Sequence, residues 1–97
     1  MAVFNYMELS TAHITEGAAG FLNSIYLTEK SGLIVYKKDE YGWFVWVPDD
    51  MSDGYYNKKL IPESLWRCIK YASENNCGYL MLDASAEIIE DLPEYEW

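Results

Sequence analysis

The sequence is poor in the side chains that most often carry out chemistry. It has two cysteines and one histidine among 97 residues. Cys68 and Cys77 lie nine positions apart, a spacing that matches neither a CxxC redox pair nor a zinc site. One falls within a predicted helix and the other just beyond its end, so free, buried thiols are expected.

Long apolar runs are also missing. No stretch approaches the ~18 apolar residues that a membrane-spanning helix needs, and no basic segment precedes an apolar run near the start. The sequence contains no catalytic or cofactor-binding signature either. We therefore expect a cytoplasmic protein that is not an enzyme and holds no cofactor.

Basic side chains are absent from the last 27 residues. The stretch from Tyr71 to Trp97 has seven carboxylates and no lysine or arginine, so it carries −7 of the formal net charge of −9. Residues 1–70 hold nine carboxylates against seven basic groups. Such charge repels phosphate backbones and anionic lipid surfaces. Direct nucleic-acid and membrane binding are disfavoured, and a basic protein is the expected partner.

What the chain does contain is enough apolar material for one core. Hydrophobic residues make up 51% of the sequence, and 16% is aromatic. A chain of this length buries roughly 60–65% of the surface that its unfolded form exposes. The sequence predicts a single domain over residues 1–97.

Hydrophobic periodicity and turn residues predict the order of the elements. Thr15 is a suitable N-cap for the first helix, and Pro62 suits the first turn of the second. The spacing of apolar residues predicts one buried face on each helix, formed by Ala18, Phe21, Leu22 and Ile25 in the first and by Leu65, Cys68, Ile69 and Ala72 in the second. The predicted elements are a strand Val3–Glu8, a helix Glu16–Tyr26, a hairpin of Leu33–Lys38 and Trp43–Val47, a helix from Pro62 to Asn75, a strand Tyr79–Asp83 and a returning strand Ala86–Ile89. This order predicts an α+β domain in which two helices pack on a mostly antiparallel sheet of about five strands.

The second strand of the hairpin is apolar on both faces. Trp43, Val45 and Val47 point one way, and Phe44 and Trp46 point the other. A strand of this kind is typical of the centre of a sheet that is covered on both sides. The alternative is an exposed aromatic face that forms a homodimer, through Tyr36, Phe44 and Trp46.

His13 is the one candidate for general acid–base catalysis. Such a role needs an orienting carboxylate and a nearby nucleophile, and Ser10, Thr11 and Glu16 are the local candidates. A histidine just before a helix N-cap is more often a hydrogen-bonded turn residue. Cys68 is a weaker candidate, because burial on the core face would raise the pKa of its thiol and quench its reactivity.

Asp49–Gly54 resembles the start of a calcium-binding loop. Asp49, Asp53 and Gly54 fit the pattern, but Met51 and Leu60 stand where oxygen ligands are required. The segment is interpreted as a solvated turn, and no metal is predicted.

The terminal acidic series is the best functional candidate. On a strand and an extended tail, its neighbouring carboxylates would lie between a few and roughly 13 Å apart, a scale similar to that of backbone phosphates. A rigid array could enter a basic groove as a nucleic-acid mimic and inhibit its target, with two aromatic anchors. The alternative is that the aromatic residues cap the core and the acids form its solvated side. The predicted partner-binding residues are Asp83, Glu87, Glu90, Asp91, Glu94, Tyr95, Glu96 and Trp97.

Five segments together resemble a known family. They are Ser10–Thr15, Tyr41–Val47, Ile61–Leu65, Tyr79–Asp83 and Leu92–Trp97. The combination is similar to small bacterial domains of unknown function of the DUF5983 type, which are often carried on plasmids, phages and integrated elements. The resemblance implies no activity and no catalytic residue. It implies a mobile-element setting, in which small acidic proteins that block host nucleic-acid enzymes are common.

Overall fold

The computed structural model describes residues 5–38, 42–47 and 57–96. The elements in chain order are β1 (Tyr6–Ser10), a 3-10 turn (Thr11–His13), α1 (Glu16–Asn23), α2 (Ile25–Ser31), β2 (Val35–Lys38), β3 (Gly42–Trp46), α3 (Glu63–Glu74) and β4 (Tyr79–Asp83). The described strands form one sheet in the order β1-β4-β3-β2, where β1 runs parallel to β4 and the other neighbours are antiparallel. The mixed α and β class is confirmed, but the described ranges hold three α-helices and four strands rather than two and about five.

The predicted helix Glu16–Tyr26 is wrong in two respects, because the chain breaks at Ser24 and a second helix continues to Ser31. Ser24 adopts an extended conformation, ends α1 and caps α2 by accepting a hydrogen bond from the Leu27 amide at 3.2 Å. Serine competes for backbone donors in this way and so favours helix ends over interiors. The break changes the phase of the apolar stripe. Ile25, which was predicted to be buried, is consequently 76% exposed.

The predicted returning strand Ala86–Ile89 does not form. The Asp83 carboxylate accepts a hydrogen bond from the Ser85 amide at 2.8 Å, and the Asp83 carbonyl accepts one from Ala86 at 3.1 Å. These two bonds close a turn directly after β4 and redirect the chain. Residues 84–96, called the C-terminal segment below, contain turns and no strand.

The core lies between the helices and one face of the sheet. Leu9, Val45, Leu80 and Leu82 of the sheet form a cluster with the buried apolar residues of α1 and α3. The predicted inner stripe of α3 is confirmed, since all four of its residues are buried, namely Leu65, Cys68, Ile69 and Ala72. Burial of each large side chain contributes about 1.5–3 kcal/mol, so this single cluster stabilises the domain.

The second face of the sheet carries aromatic residues. β3 lies between β2 and β4, which confirms its predicted central place. Phe44 pairs with Tyr36 and Met81 across the strands, and the Trp46 and Tyr79 ring centroids are 4.1 Å apart. The buried apolar side chains of the described helices belong to the cluster on the opposite face. The expected cover on this face therefore does not come from any of the three helices in the described ranges.

Some predictions fall outside the described residues. These are the start of the predicted first strand, the calcium-like loop Asp49–Gly54 and the proposed anchor Trp97. Within the described ranges, no helix has the length and hydropathy that crossing a bilayer requires.

Candidate functional site

The C-terminal segment is attached to the domain by hydrogen bonds rather than left as a free tail. The Tyr95 amide donates to the Ala12 carbonyl at 2.7 Å. The His13 Nδ1 donates to the Pro93 carbonyl at 2.8 Å, and the Ile89 amide donates to His13 Nε2 at 3.0 Å. Two of these three bonds use one imidazole ring. His13 is thus the residue that fixes the segment in place.

The partners of His13 determine its tautomer. The Pro93 carbonyl can only accept a hydrogen bond and the Ile89 amide can only donate one, so Nδ1 is the donor and Nε2 the acceptor. The ring is only 1% exposed. The interpretation of His13 as a hydrogen-bonded turn residue is confirmed, and its partners lie 76 and 80 positions away in the chain.

Two apolar side chains attach the segment to the hydrophobic core. Leu92 is buried as a member of the core cluster, and Ile89 packs against that cluster while remaining partly exposed. Burying apolar surface adds non-directional stabilisation to the directional hydrogen bonds of His13. The segment is therefore part of the folded domain.

Side chains of α3 make further contacts with the segment. Arg67 donates to the Tyr95 hydroxyl at 3.3 Å and forms an ion pair with Glu63 at 3.0 Å. The Tyr71 hydroxyl donates to the Asp91 carboxylate at 2.7 Å. This hydrogen bond favours the neutral phenol and raises the pKa of Tyr71. Asp91 and Tyr95 thus have partners within the domain.

Four carboxylates of the segment face solvent. Within the described residues none of them takes part in an ion pair, and all four are exposed. We call them the terminal carboxylates: Glu87, Glu90, Glu94 and Glu96. Because the segment is not extended, the strand-like spacing predicted for them does not apply.

Asp83 does not belong with this exposed group. It is 8% exposed and forms an ion pair with Lys38 of β2. The Lys38 ammonium, followed by the Ser85 amide, holds the pKa of the Asp83 carboxyl below its ordinary value. The structure thus places Asp83 in an internal ion pair.

A surface depression of about 290 Å³ lies where the 3-10 turn meets the C-terminal segment. Its walls include Ala12, Ile88 and Tyr95. Ile88 is 53% exposed, and Tyr95 is half-buried. Apolar surface therefore borders the acidic segment.

Comparison with known families identifies the chain. The C-terminal domain of a family of unknown function, DUF5983, matches residues 6–97. The chain belongs to that family. The resemblance found in the sequence is confirmed, and the matched range spans everything from β1 to the terminal carboxylates. No curated protein and no solved structure matches the chain.

Both cysteine thiols of this DUF5983 domain are free, as predicted, but only Cys68 is buried and Cys77 is half-buried. Burial raises the pKa of Cys68 to about 12, as expected for a thiol on the core face. Its Sγ lies 3.6 Å from the His13 carbonyl. In the parts of the chain that the structure describes, no group of histidine, cysteine and acidic residues is arranged to hold a metal ion.

Sequence reasoning missed the role of α3 in holding the segment. Glu63, Arg67 and Tyr71 were not linked to the acidic series, although they recur at intervals of four and so share one face of the helix. In the DUF5983 domain this face meets the C-terminal segment. The four-residue spacing of Glu63, Arg67 and Tyr71 was the one feature of the sequence that could have indicated this contact.

Proposed function

We propose that this DUF5983 domain is an acidic protein-binding module that engages a basic protein through its terminal carboxylates. The proposal rests on the way in which the domain presents the terminal carboxylates to solvent. They are exposed and, among the described residues, make no ion pairs, yet they stand on a segment held by His13, Ala12 and Leu92. Charges on an ordered segment lose less conformational entropy on binding than charges on a free tail.

The charge of the domain supports the class of partner. The net charge of −9 attracts basic surfaces and repels phosphates and anionic lipids. A groove lined with lysine and arginine that normally takes a nucleic acid is the natural complement. We therefore propose that the domain acts as a nucleic-acid mimic that inhibits such a protein. The proposal includes a cytoplasmic location in bacteria and a mobile-element setting, where inhibitors of host enzymes are useful.

The depression beside Tyr95 adds an apolar contact to the charged one. Interfaces gain most of their affinity from a few well-packed anchors, whereas charges at the rim mainly set the rate of association and its salt dependence. Ile88 and Tyr95 both line this depression next to the terminal carboxylates. Because Ser10 and Thr11 also line it, this depression would receive a side chain of the partner that has both apolar and polar parts.

Charge reversal at Glu90 and Glu94 is expected to weaken binding of the basic partner at least ten-fold, a loss of about 1.4 kcal/mol. The double variant E90K/E94K places two cations where the proposal puts two contacts. The matched control is E29K/E74K, which changes the net charge equally at exposed sites in the last turns of α2 and α3. Lysine there complements the helix dipole, so the control should fold normally.

The measurement begins with capture from a bacterial lysate on immobilised wild type and both double variants. The dissociation constant of each purified captured protein is then determined at about 50 and 200 mM salt. The expected result is a basic protein that binds wild type and E29K/E74K, more weakly at the higher salt, and is lost with E90K/E94K. Equal binding by all three proteins would rule the proposal out.

Self-association is a second candidate function, because aromatic side chains project from the sheet face that carries Phe44 and Trp46. Tyr6 and Tyr36 on this face are 63% and 60% exposed. Contiguous exposed apolar surface of this kind commonly marks an interaction site. A homodimer through Tyr36, Phe44 and Trp46 would bury it.

Added salt should weaken binding of a basic partner but strengthen self-association. Two copies that each carry −9 repel, so dimerisation should strengthen as salt screens the charge. Sedimentation of the wild type should then show a dimer that Tyr36→Asp abolishes. Tyr26→Asp, at a residue of α2 that is 68% exposed, should leave the dimer intact. A wild-type monomer at high concentration in both low and moderate salt would remove this candidate.

A further inference from the structure

We propose that the groove between β2 and the helices α1 and α2 binds an extended acidic peptide of a partner protein, which adds to the sheet as a further strand beside β2. The groove shares no lining residue with the C-terminal segment. It would give the domain a second binding surface, beyond the proposed function. The supporting features are the free edge of β2, the shape of the groove and its charge.

The backbone of β2 has polar groups that point away from the sheet. β2 lies at one edge of the described strands, with β3 as its neighbour. The Trp46 amide donates to the Ile34 carbonyl at 3.0 Å, and hydrogen-bonded and non-hydrogen-bonded pairs alternate along an antiparallel ladder. Tyr36 therefore bonds to β3, whereas the N–H and C=O groups of Val35 and Lys37 point outwards. Within the described ranges, no hydrogen bond from outside the sheet reaches these four groups, so they can pair with an added strand.

A groove of about 410 Å³ lies beside this edge. Residues 35–37 of β2 line one side, and Leu22, Ile25 and Thr28 of the helices line the other. Successive side chains of a strand point to opposite faces, so three consecutive lining residues mean that the backbone of β2 forms part of this wall. The break at Ser24 leaves Ile25 76% exposed. Its apolar surface is therefore open to a bound side chain.

The two walls of the groove are fixed to the folded domain. Leu22 belongs to the hydrophobic cluster, and Val35 packs against that cluster. Trp43 Nε1–H donates to Asn23 Oδ1 at 3.1 Å and so ties the end of α1 to β3. Asn23 is itself a lining residue. A peptide would meet a site that is already formed, which lowers the entropy lost on binding.

The charge of the groove favours an acidic peptide. Among the described residues, its lining includes one cation, Lys37, and no carboxylate, although the protein carries −9. Lys37 makes no ion pair within that part of the chain, whereas Lys38 binds Asp83. A peptide antiparallel to β2 would place a carboxylate opposite Lys37 and, two positions later, an apolar side chain opposite Val35, where it would contact Ile25. Opposite charges that face each other across strands stabilise the pairing.

A second copy of this chain is the competing occupant of the edge. Two copies that each carry −9 repel. The acidic C-terminal segment of each copy is also held by its own domain, through His13 and Ala12. A peptide of another protein meets neither obstacle. Addition of an extended peptide to a sheet edge is an established mode of peptide recognition.

Titration of the full 15N-labelled chain with a synthetic peptide tests the proposal. The probe is the acetylated and amidated peptide Thr-Thr-Glu-Thr-Val-Thr-Thr, added to about 2 mM. We expect the amide signals of Val35 and Lys37 to shift and saturate. A matched peptide with N-methyl groups on its Glu and Val amides lacks the two donors to β2. It should bind at least about ten-fold more weakly.

Charge reversal at the groove gives a second measurement. Lys37→Glu should weaken binding of the probe at least about ten-fold. Lys70→Glu makes the same change of charge at an exposed site of α3 outside the groove, so it should bind the probe as the wild type does. The N-methylated peptide tests the pairing on the wild type, whether or not the Lys37→Glu variant folds.

Several results would overturn the inference. They are the absence of a saturable shift at Val35 and Lys37, equal binding of the N-methylated peptide, and an equal loss of binding in both lysine variants. Shifts at Val35 and Lys37 that depend on protein concentration without peptide would identify a second copy as the occupant and would also refute it. The E90K/E94K variant should bind the probe normally. The peptide site and the terminal carboxylates can therefore fail separately.

Discussion

Replacing Gly42 by alanine is expected to reduce the free energy of unfolding by about 3 kcal/mol or more, which is enough to unfold a domain of marginal stability. A methyl group built on Gly42 would overlap the carbonyl oxygen of Leu82 and crowd the Cα of Asp83. Both are backbone atoms of β4, which is paired with β1 on one side and β3 on the other. Neither can move without disturbing the pairing of β4 with its two neighbours.

Urea denaturation of the Gly42→Ala variant, monitored by tryptophan fluorescence, measures this loss. The matched control is Gly20→Ala in α1, where an added Cβ meets no atom within 4 Å. Alanine is preferred to glycine in a helix interior by about 1 kcal/mol, so the control should be stabilised. A loss below about 1 kcal/mol for Gly42→Ala would contradict the close approach of β3 and β4.

Replacing His13 by alanine is expected to cost about 3 kcal/mol of stability and to free the C-terminal segment. The change leaves the Ile89 amide and the Pro93 carbonyl without their partner. It also opens a cavity in a site that is 1% exposed. Unsatisfied polar groups and a cavity destabilise through separate mechanisms, and this site combines both.

Chemical denaturation gives the stability of the His13→Ala variant, and a protease that cleaves after glutamate reports the release of the segment. Cleavage at Glu87, Glu90 and Glu94 should be much faster than in the wild type. The control is Tyr71→Phe, which removes only a solvent-exposed hydrogen bond to Asp91 and should leave the stability close to that of the wild type. Equal stability and equal cleavage of the two variants would show that His13 does not hold the segment.

Local patterns in the sequence were sufficient for several elements. The spacing of Leu65, Cys68, Ile69 and Ala72 predicted the buried face of α3, and the structure confirms it. Thr15 caps α1 as predicted. These features depend on interactions between residues a few positions apart, which the sequence displays directly.

Other local patterns gave wrong predictions of secondary structure because two local preferences competed. The apolar residues from Ala18 to Ile25 favour one helix, but Ser24 caps a new one. The residues Ala86–Ile89 suit a strand, but the Asp83 carboxylate closes a turn before them. In both cases a side chain that binds nearby backbone amides overrides the hydrophobic pattern.

The candidate site shows most clearly which features follow from the sequence and which depend on the tertiary structure. The motifs of the sequence carried the resemblance to the family, which the family comparison shows. The sequence by itself also determined the acidity of the last 27 residues, the mixed α and β class and the central place of β3, since these three follow from composition and short-range periodicity. The tertiary structure alone decided that β1 runs parallel to β4, that Asp83 pairs with Lys38, and that His13 holds residues 76 and 80 positions away. Hydrogen bonds and ion pairs over such separations form only when the packed core brings distant segments together. No local pattern in the chain encodes them.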